Sequence, residues 1–198
     1  MMVQALFALW LAAAPLPAAP LPAAPLPTAS DAEVDPATIN VVDAIDCRLN
    51  TDTYGALTMA LDEEAKRRGW RPVEGKNAFL QEYELPQPIR VGEGWTTRRI
   101  AFSANALLAI LDIADPKTVA DRIGVTNTMP DLSGQGVAAK FLGQHVVSDE
   151  TVLPKGEEKF GTHSIIARSV STVTSHPGKT LYGCSYATDV IGRDGKPI

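Results

Sequence analysis

The chain has few of the features that usually identify a function. In 198 residues it carries two cysteines and three histidines, its aromatic content is 6%, and its formal net charge is −5. No cluster of Lys and Arg forms the basic footprint of a nucleic-acid binder, so nucleic acid is not an expected partner. The glycines form no phosphate loop: Gly92 and Gly94 precede Trp95 and Thr96 with neither the GxGxxG nor the GK[ST] pattern. No His-x-His or His-Glu-x-x-His spacing and no calcium-loop spacing occurs, so the sequence implies neither a metal nor any other cofactor.

What is present begins with compartment. Every ionisable side chain lies beyond Ser30. Met1 to Ala14 is apolar except for Gln4, and a tract repeating Ala-Pro-Leu-Pro-Ala follows. Such a run suits the hydrophobic region of a signal peptide and is shorter than the roughly 20 apolar residues of a membrane-spanning helix. Residues 1–30 therefore read as an export signal with a proline-rich tract, cleaved near Asp31, and 31–198 as one globular domain. Two features depart from an ideal signal, the lack of a Lys or Arg before the apolar run and the prolines after several Ala-x-Ala sites, and a retained anchor on a polyproline spacer is the alternative. The mature protein is expected in the periplasm or secreted, with no stable membrane span once the signal is removed.

Export gives the cysteines their meaning. Cys47 and Cys184 are an even pair in a chain bound for an oxidising compartment, which predicts a disulfide between them. The rival reading is a reactive Cys47 near the start of the next helix, but no base adjoins it in sequence.

Along the mature region, Ile39 to Ile45 reads as a short strand. Asn50, Thr51 and Asp52 supply helix-capping chemistry, and Tyr54, Leu57, Leu61 and Ala65 recur at helical spacing. Lys66, Arg67 and Arg68 before Gly69 suit the end of one long helix, with Asp62, Glu63 and Glu64 on its solvated face. The alternation from Phe79 to Leu85 gives a strand bent or ended by Pro86 and Pro88. Ile100 and Phe102 lead into a hairpin with Leu107 to Leu111, turning at Ser103 to Ala106. Arg98 and Arg99 point to opposite faces, one of them available to a buried carboxylate. Asp115 before Pro116 starts a short helix ended by Gly124, and Thr126 to Gly136 is the longest irregular stretch. Phe141 to Ser148, Thr162 to Thr174 and Thr180 to Val190 complete the strands. Pro177-Gly178 predicts a type II turn, and Tyr182, Cys184 and Tyr186 share an inward face.

The fold class is therefore α+β: a mainly antiparallel sheet of five or six strands, one long and one short helix, and one disulfide. The run Val170 to Leu181, leading to Gly183-Cys184-Ser185-Tyr186, together with Glu82 to Pro86 before Ile89-Arg90-Val91, resembles a group of small exported bacterial proteins of unassigned function. That resemblance implies a bacterial periplasm and carries no activity. The expected function is a non-catalytic periplasmic binding or interaction module whose partner is an envelope ligand or protein. The alternative is a histidine-dependent hydrolase using His145 or His163, for example with Ser164 and Asp149. His176 reads as an exposed turn residue.

Overall fold

The computed structural model describes residues 34–75, 77–130 and 140–198. The expected export signal lies outside them, as does most of the irregular stretch Thr126 to Gly136. Residues 34–198 form one compact unit.

The chain enters through a 3-10 turn, Pro36–Thr38, and a helix α1, Val41–Ile45. The strand expected over Ile39 to Ile45 is thus a helix. The Asn40 side chain accepts from the Val42 amide at 2.9 Å and caps it, and Val41, Ala44 and Ile45 fall on one buried stripe. The one long helix is also two, α2 (Thr51–Met59) and α3 (Leu61–Arg67), broken at Ala60. The Thr58 hydroxyl donates back to the Gly55 carbonyl at 3.0 Å just before the break. Such a bond competes with the main-chain ladder and bends helices. Asn50 caps α2 and Gly69, at φ 66, follows α3 as the sequence predicts.

Glu64 is buried rather than solvated. Arg67 and Arg68 both donate to its carboxylate, Arg68 at 2.8 Å. Arg68 also reaches the carbonyls of Pro36 and Ile39. The cluster ties α3 to the entering chain.

Seven antiparallel strands follow: β1 (Arg71–Val73), β2 (Gln81–Val91), β3 (Trp95–Ser103), β4 (Ala106–Leu111), β5 (Leu142–Val152), β6 (Gly161–Ser171) and β7 (Thr180–Ile191). Their spatial order is β1-β2-β3-β4-β7-β6-β5, seven where five or six were expected. The unanticipated strand is β1, three residues long and paired to Glu82, Tyr83 and Glu84. β2 does not stop at its prolines. It runs through Pro86 and Pro88 where the β2–β3 register shifts between Glu84 and Ile89. Proline has no amide to lose there, and the Arg98 guanidinium takes up the freed carbonyls of Leu85 and Pro86. Two meanders, β1 to β4 and β5 to β7, therefore meet at the β4–β7 pair. The connection between them carries α4 (Lys117–Ile123), with the Asp115 carboxylate accepting from the Lys117 amide at 3.0 Å.

Alternation divides the sheet's residues between two cores. On one face Ile100, Phe102, Leu107, Ala109, Tyr182, Cys184 and Tyr186 pack with the buried residues of the helices. On the other, Ala101, Leu108, Ile110 and Leu181 pack with Leu80, Ala106 and Val173. That second cover is the β6–β7 connection. Lys179 donates to the His176 carbonyl across Pro177 and Gly178, and Gly178 has φ 70, as the predicted type II turn requires.

Cys47 and Cys184 are bonded to each other. Cys47 follows α1 with φ 59, a left-handed backbone, and Cys184 sits on the helix-facing side of β7. Among the described residues no helix is long and apolar enough to cross a membrane.

Closing a loop with a sequence separation of 137 restricts the unfolded chain by about 5 kcal/mol in the chain-entropy account, and measured values run nearer 2 to 4 kcal/mol. Cys47→Ala, Cys184→Ala and the double variant should therefore lose the same amount, because each removes one and the same bond. Urea unfolding with and without reductant checks this: reductant should lower the wild-type midpoint to that of the variants and leave the variants unmoved.

Glu64 gives a pH signature. Its carboxyl is held at about 2 rather than 4.5 by hydrogen bonds, first from Arg67 and then from Arg68, against the opposing effect of burial. A depressed carboxyl stabilises the fold above its unfolded value and loses that contribution as pH falls toward 2. Glu64→Gln should cost about 1 to 2 kcal/mol at pH 7, allowing for the solvent exposure of Arg67, and should flatten the decline in stability between pH 4.5 and 2. Unfolding midpoints measured across that range test it.

Candidate functional site

The connection from β4 to β5 and the connection from β6 to β7 face each other across a cleft of about 530 Å³. One wall is Ala114 to Lys117 at the head of α4, the other is Thr172 to Thr174 with His176 to Lys179, and Asn127, Lys140 and Phe141 complete the lining. Local hydrogen bonds fix each wall. The Asn127 side chain accepts from the Leu142 amide at 2.9 Å and donates to the Lys140 carbonyl at 3.2 Å. The Phe141 amide donates to the Thr172 hydroxyl at 2.9 Å, and the Thr172 amide returns a bond to the Phe141 carbonyl. The Thr180 hydroxyl donates to the Ile113 carbonyl at 2.7 Å. A site whose walls are tied in this way is formed before any ligand arrives.

Ala114, Pro116, Phe141, Val173 and Pro177 make the lining largely apolar, with hydroxyls, one amide and lysines interspersed. That is the composition of a small-molecule pocket, and the volume lies inside the usual range of about 300 to 1,000 Å³.

His176 is where the sequence reading departs most from the structure. It is 8% exposed, not solvated, and its ring stands between Ser175 and Glu82. The Ser175 hydroxyl lies 2.9 Å from Nδ1, and Glu82 Oε1 lies 3.0 Å from Nε2, in contact but off the hydrogen-bond direction. Glu82, fully buried on β2, is held on its other oxygen by Arg99. Arg99 is thus the member of the Arg98–Arg99 pair that meets a buried carboxylate. No spacing in the sequence joins residues 82 and 176; their meeting depends on the β6–β7 connection crossing the sheet face.

The residues weighed from sequence for hydrolysis come together only in part. His163 Nε2 is 2.8 Å from Asp149 Oδ1, but Ser164 follows His163 on the strand and so points to the other face. There its hydroxyl meets Thr51 and Thr188. His145 is exposed on the edge strand β5. The hydroxyl, imidazole and carboxylate sequence occurs instead at Ser175, His176 and Glu82. Thr174 and His176 line the cleft, whereas the Ser175 hydroxyl turns to Asn77, 3.5 Å away. The arrangement secures the connection to the sheet, and Ser175 is not among the residues that line the cleft. Among the described residues no group of three or more His, Cys, Asp or Glu is placed to hold a metal ion.

Because the imidazole and guanidinium share one buried carboxylate, Glu82→Ala strands both and should cost about 3 to 5 kcal/mol. Replacing Glu82 and His176 together by leucine should recover most of that loss, since Arg99 is 39% exposed at its side chain and can turn to water. Urea unfolding of the two variants measures the difference.

No family model matches the chain, and neither the curated proteins nor the solved structures gave a match.

Proposed function

We propose that the protein is an exported binding module, working in the periplasm or outside the cell, that holds a small molecule in the cleft between α4 and the β6–β7 connection. The observation that carries this reading is the cleft itself: an apolar concavity of about 530 Å³ with walls fixed by hydrogen bonds on both sides. The polar residues that would orient a guest, Thr172, Thr174 and Asn127, reach it from two separate segments. The bond between Cys47 and Cys184 supports an oxidising compartment, where such bonds persist. A binding module needs a rigid receptor, and the disulfide and the Glu82 cluster both stiffen the frame on which the cleft stands.

The test is retention. The purified protein is incubated with an envelope extract, passed through a desalting column and denatured, and the released small molecules are identified by mass spectrometry. Wild type should retain a defined compound. Thr174→Trp, at an exposed position on the cleft wall, should fill the space and lose it without unfolding. Equal retention by both proteins, or none by either, would overturn the reading.

A further inference from the structure

The chain is acidic overall, yet three of its eight lysines, Lys117, Lys140 and Lys179, line this one cleft. They arrive from three separate segments: the first turn of α4, the approach to β5 and the approach to β7. Among the described residues the one carboxylate in the lining is Asp115, which accepts from the Lys117 amide. Lys179 pairs with Asp112, and Lys117 lies 3.7 Å from Asp121, but those carboxylates are 86% and 68% exposed at their side chains. Ion pairs that open to water are worth little. A carboxylate arriving in the half-enclosed cleft meets the same ammonium groups with less water between them, and it competes well for them.

The apolar part of the lining sets the remainder of the ligand. Phe141, Val173, Pro116 and Pro177 offer hydrocarbon surface beside the lysines, not a polar bed for a sugar or a highly charged phosphate. We infer that the ligand class is an anionic amphiphile: a small molecule with one acidic head at the lysines and an aliphatic or aromatic body against Phe141 and Val173. This inference rests on the cleft being the binding site, and it adds the sign of the ligand's charge and the apolar nature of its body.

The experiment compares three probes of matched chain length, decanoate, decanol and decyltrimethylammonium, by isothermal titration at low ionic strength. Amide chemical shifts at Thr172 and Thr174 report the place of binding. Decanoate should bind at least tenfold more tightly than decanol, the advantage should shrink as salt is added, and decyltrimethylammonium should bind weakest. The triple variant Lys117→Gln, Lys140→Gln, Lys179→Gln, altered at two exposed positions and one half-buried one, should bind decanoate and decanol alike. Equal affinity for decanoate and decanol in the wild type would leave the cleft as a binding site and overturn the charge selectivity. A preference for the cation, or a decanoate preference that survives in the triple variant, would overturn it as well. Failure of all three probes to bind or to shift those amides would remove the cleft reading and this inference with it.

Discussion

The fold hangs on a junction two residues long. Asp46 is buried, and its carboxylate accepts from the Gly92 amide at 2.8 Å and from the Tyr182 hydroxyl at 3.2 Å, while Arg48 pairs with its second oxygen. Its backbone carbonyl receives Arg168 from β6. The next residue, Cys47, turns left-handed and is covalently joined to β7. Four parts of the chain, the end of α1, the β2–β3 turn, β6 and β7, are thereby referred to one point. A buried carboxylate is tolerated only when its oxygens are satisfied, and here the donors that satisfy it belong to elements distant in sequence. The neighbouring tyrosines are drawn into the same environment. Burial, with Asp46 adding to it, raises the Tyr182 phenol well above its ordinary value, so its hydroxyl remains a donor.

The two faces of the sheet are covered by different means. Helices α1 and α2 bury one face through apolar side chains, Val41, Ala44, Ile45, Tyr54 and Leu57, and the Tyr186 hydroxyl donates to the Ala44 carbonyl at 2.7 Å. The other face is covered by a connection with little apolar surface of its own, and its fastening is polar: His176 lies above Glu82, with Arg99 on the carboxylate's far oxygen. This difference explains why the cleft opens where it does. A loop pinned at His176 and again at Thr180, and held at Thr172 against Phe141, spans the sheet as an arch rather than collapsing onto it.

Local chemistry made much of this frame legible in the sequence. The β3–β4 hairpin, the cap and glycine stop of α4, the type II turn at Pro177-Gly178, the inward face of Tyr182, Cys184 and Tyr186, and the even pair of cysteines all follow from residues close together or from composition. Where the reading failed, a distant partner or a local competition decided the outcome. Ile39 to Ile45 has the branched residues of a strand, but Asn40 caps it and the core accepts its helical stripe. A back-bonded Thr58 precedes the break in the long helix. Pro86 and Pro88 pass through β2 because a register shift removes the demand on their amides. The cleft's lysines were visible singly and not as a group, since only the crossing from β4 to β5 and the return into β7 bring Lys117, Lys140 and Lys179 to one place. His176 looked exposed because a Pro-Gly turn follows it; the carboxylate that buries it lies on a strand of the other meander.

The bond between Cys47 and Cys184 also governs how the protein bears load. It makes the chain between those residues a closed ring containing nearly all of the sheet, so tension applied at Val34 and Ile198 is carried across the sulfur atoms instead of through the strands. Only roughly 27 residues outside the ring can pay out, about 95 Å of contour at about 3.5 Å per residue. The cleft's walls, at Ala114 to Lys117 and Thr172 to Lys179, lie wholly inside the ring. An oxidised molecule pulled at those two residues would release α1 and the end of β7 beyond Cys184 and keep its receptor intact, whereas a reduced one would transmit the same force into the rest of β7.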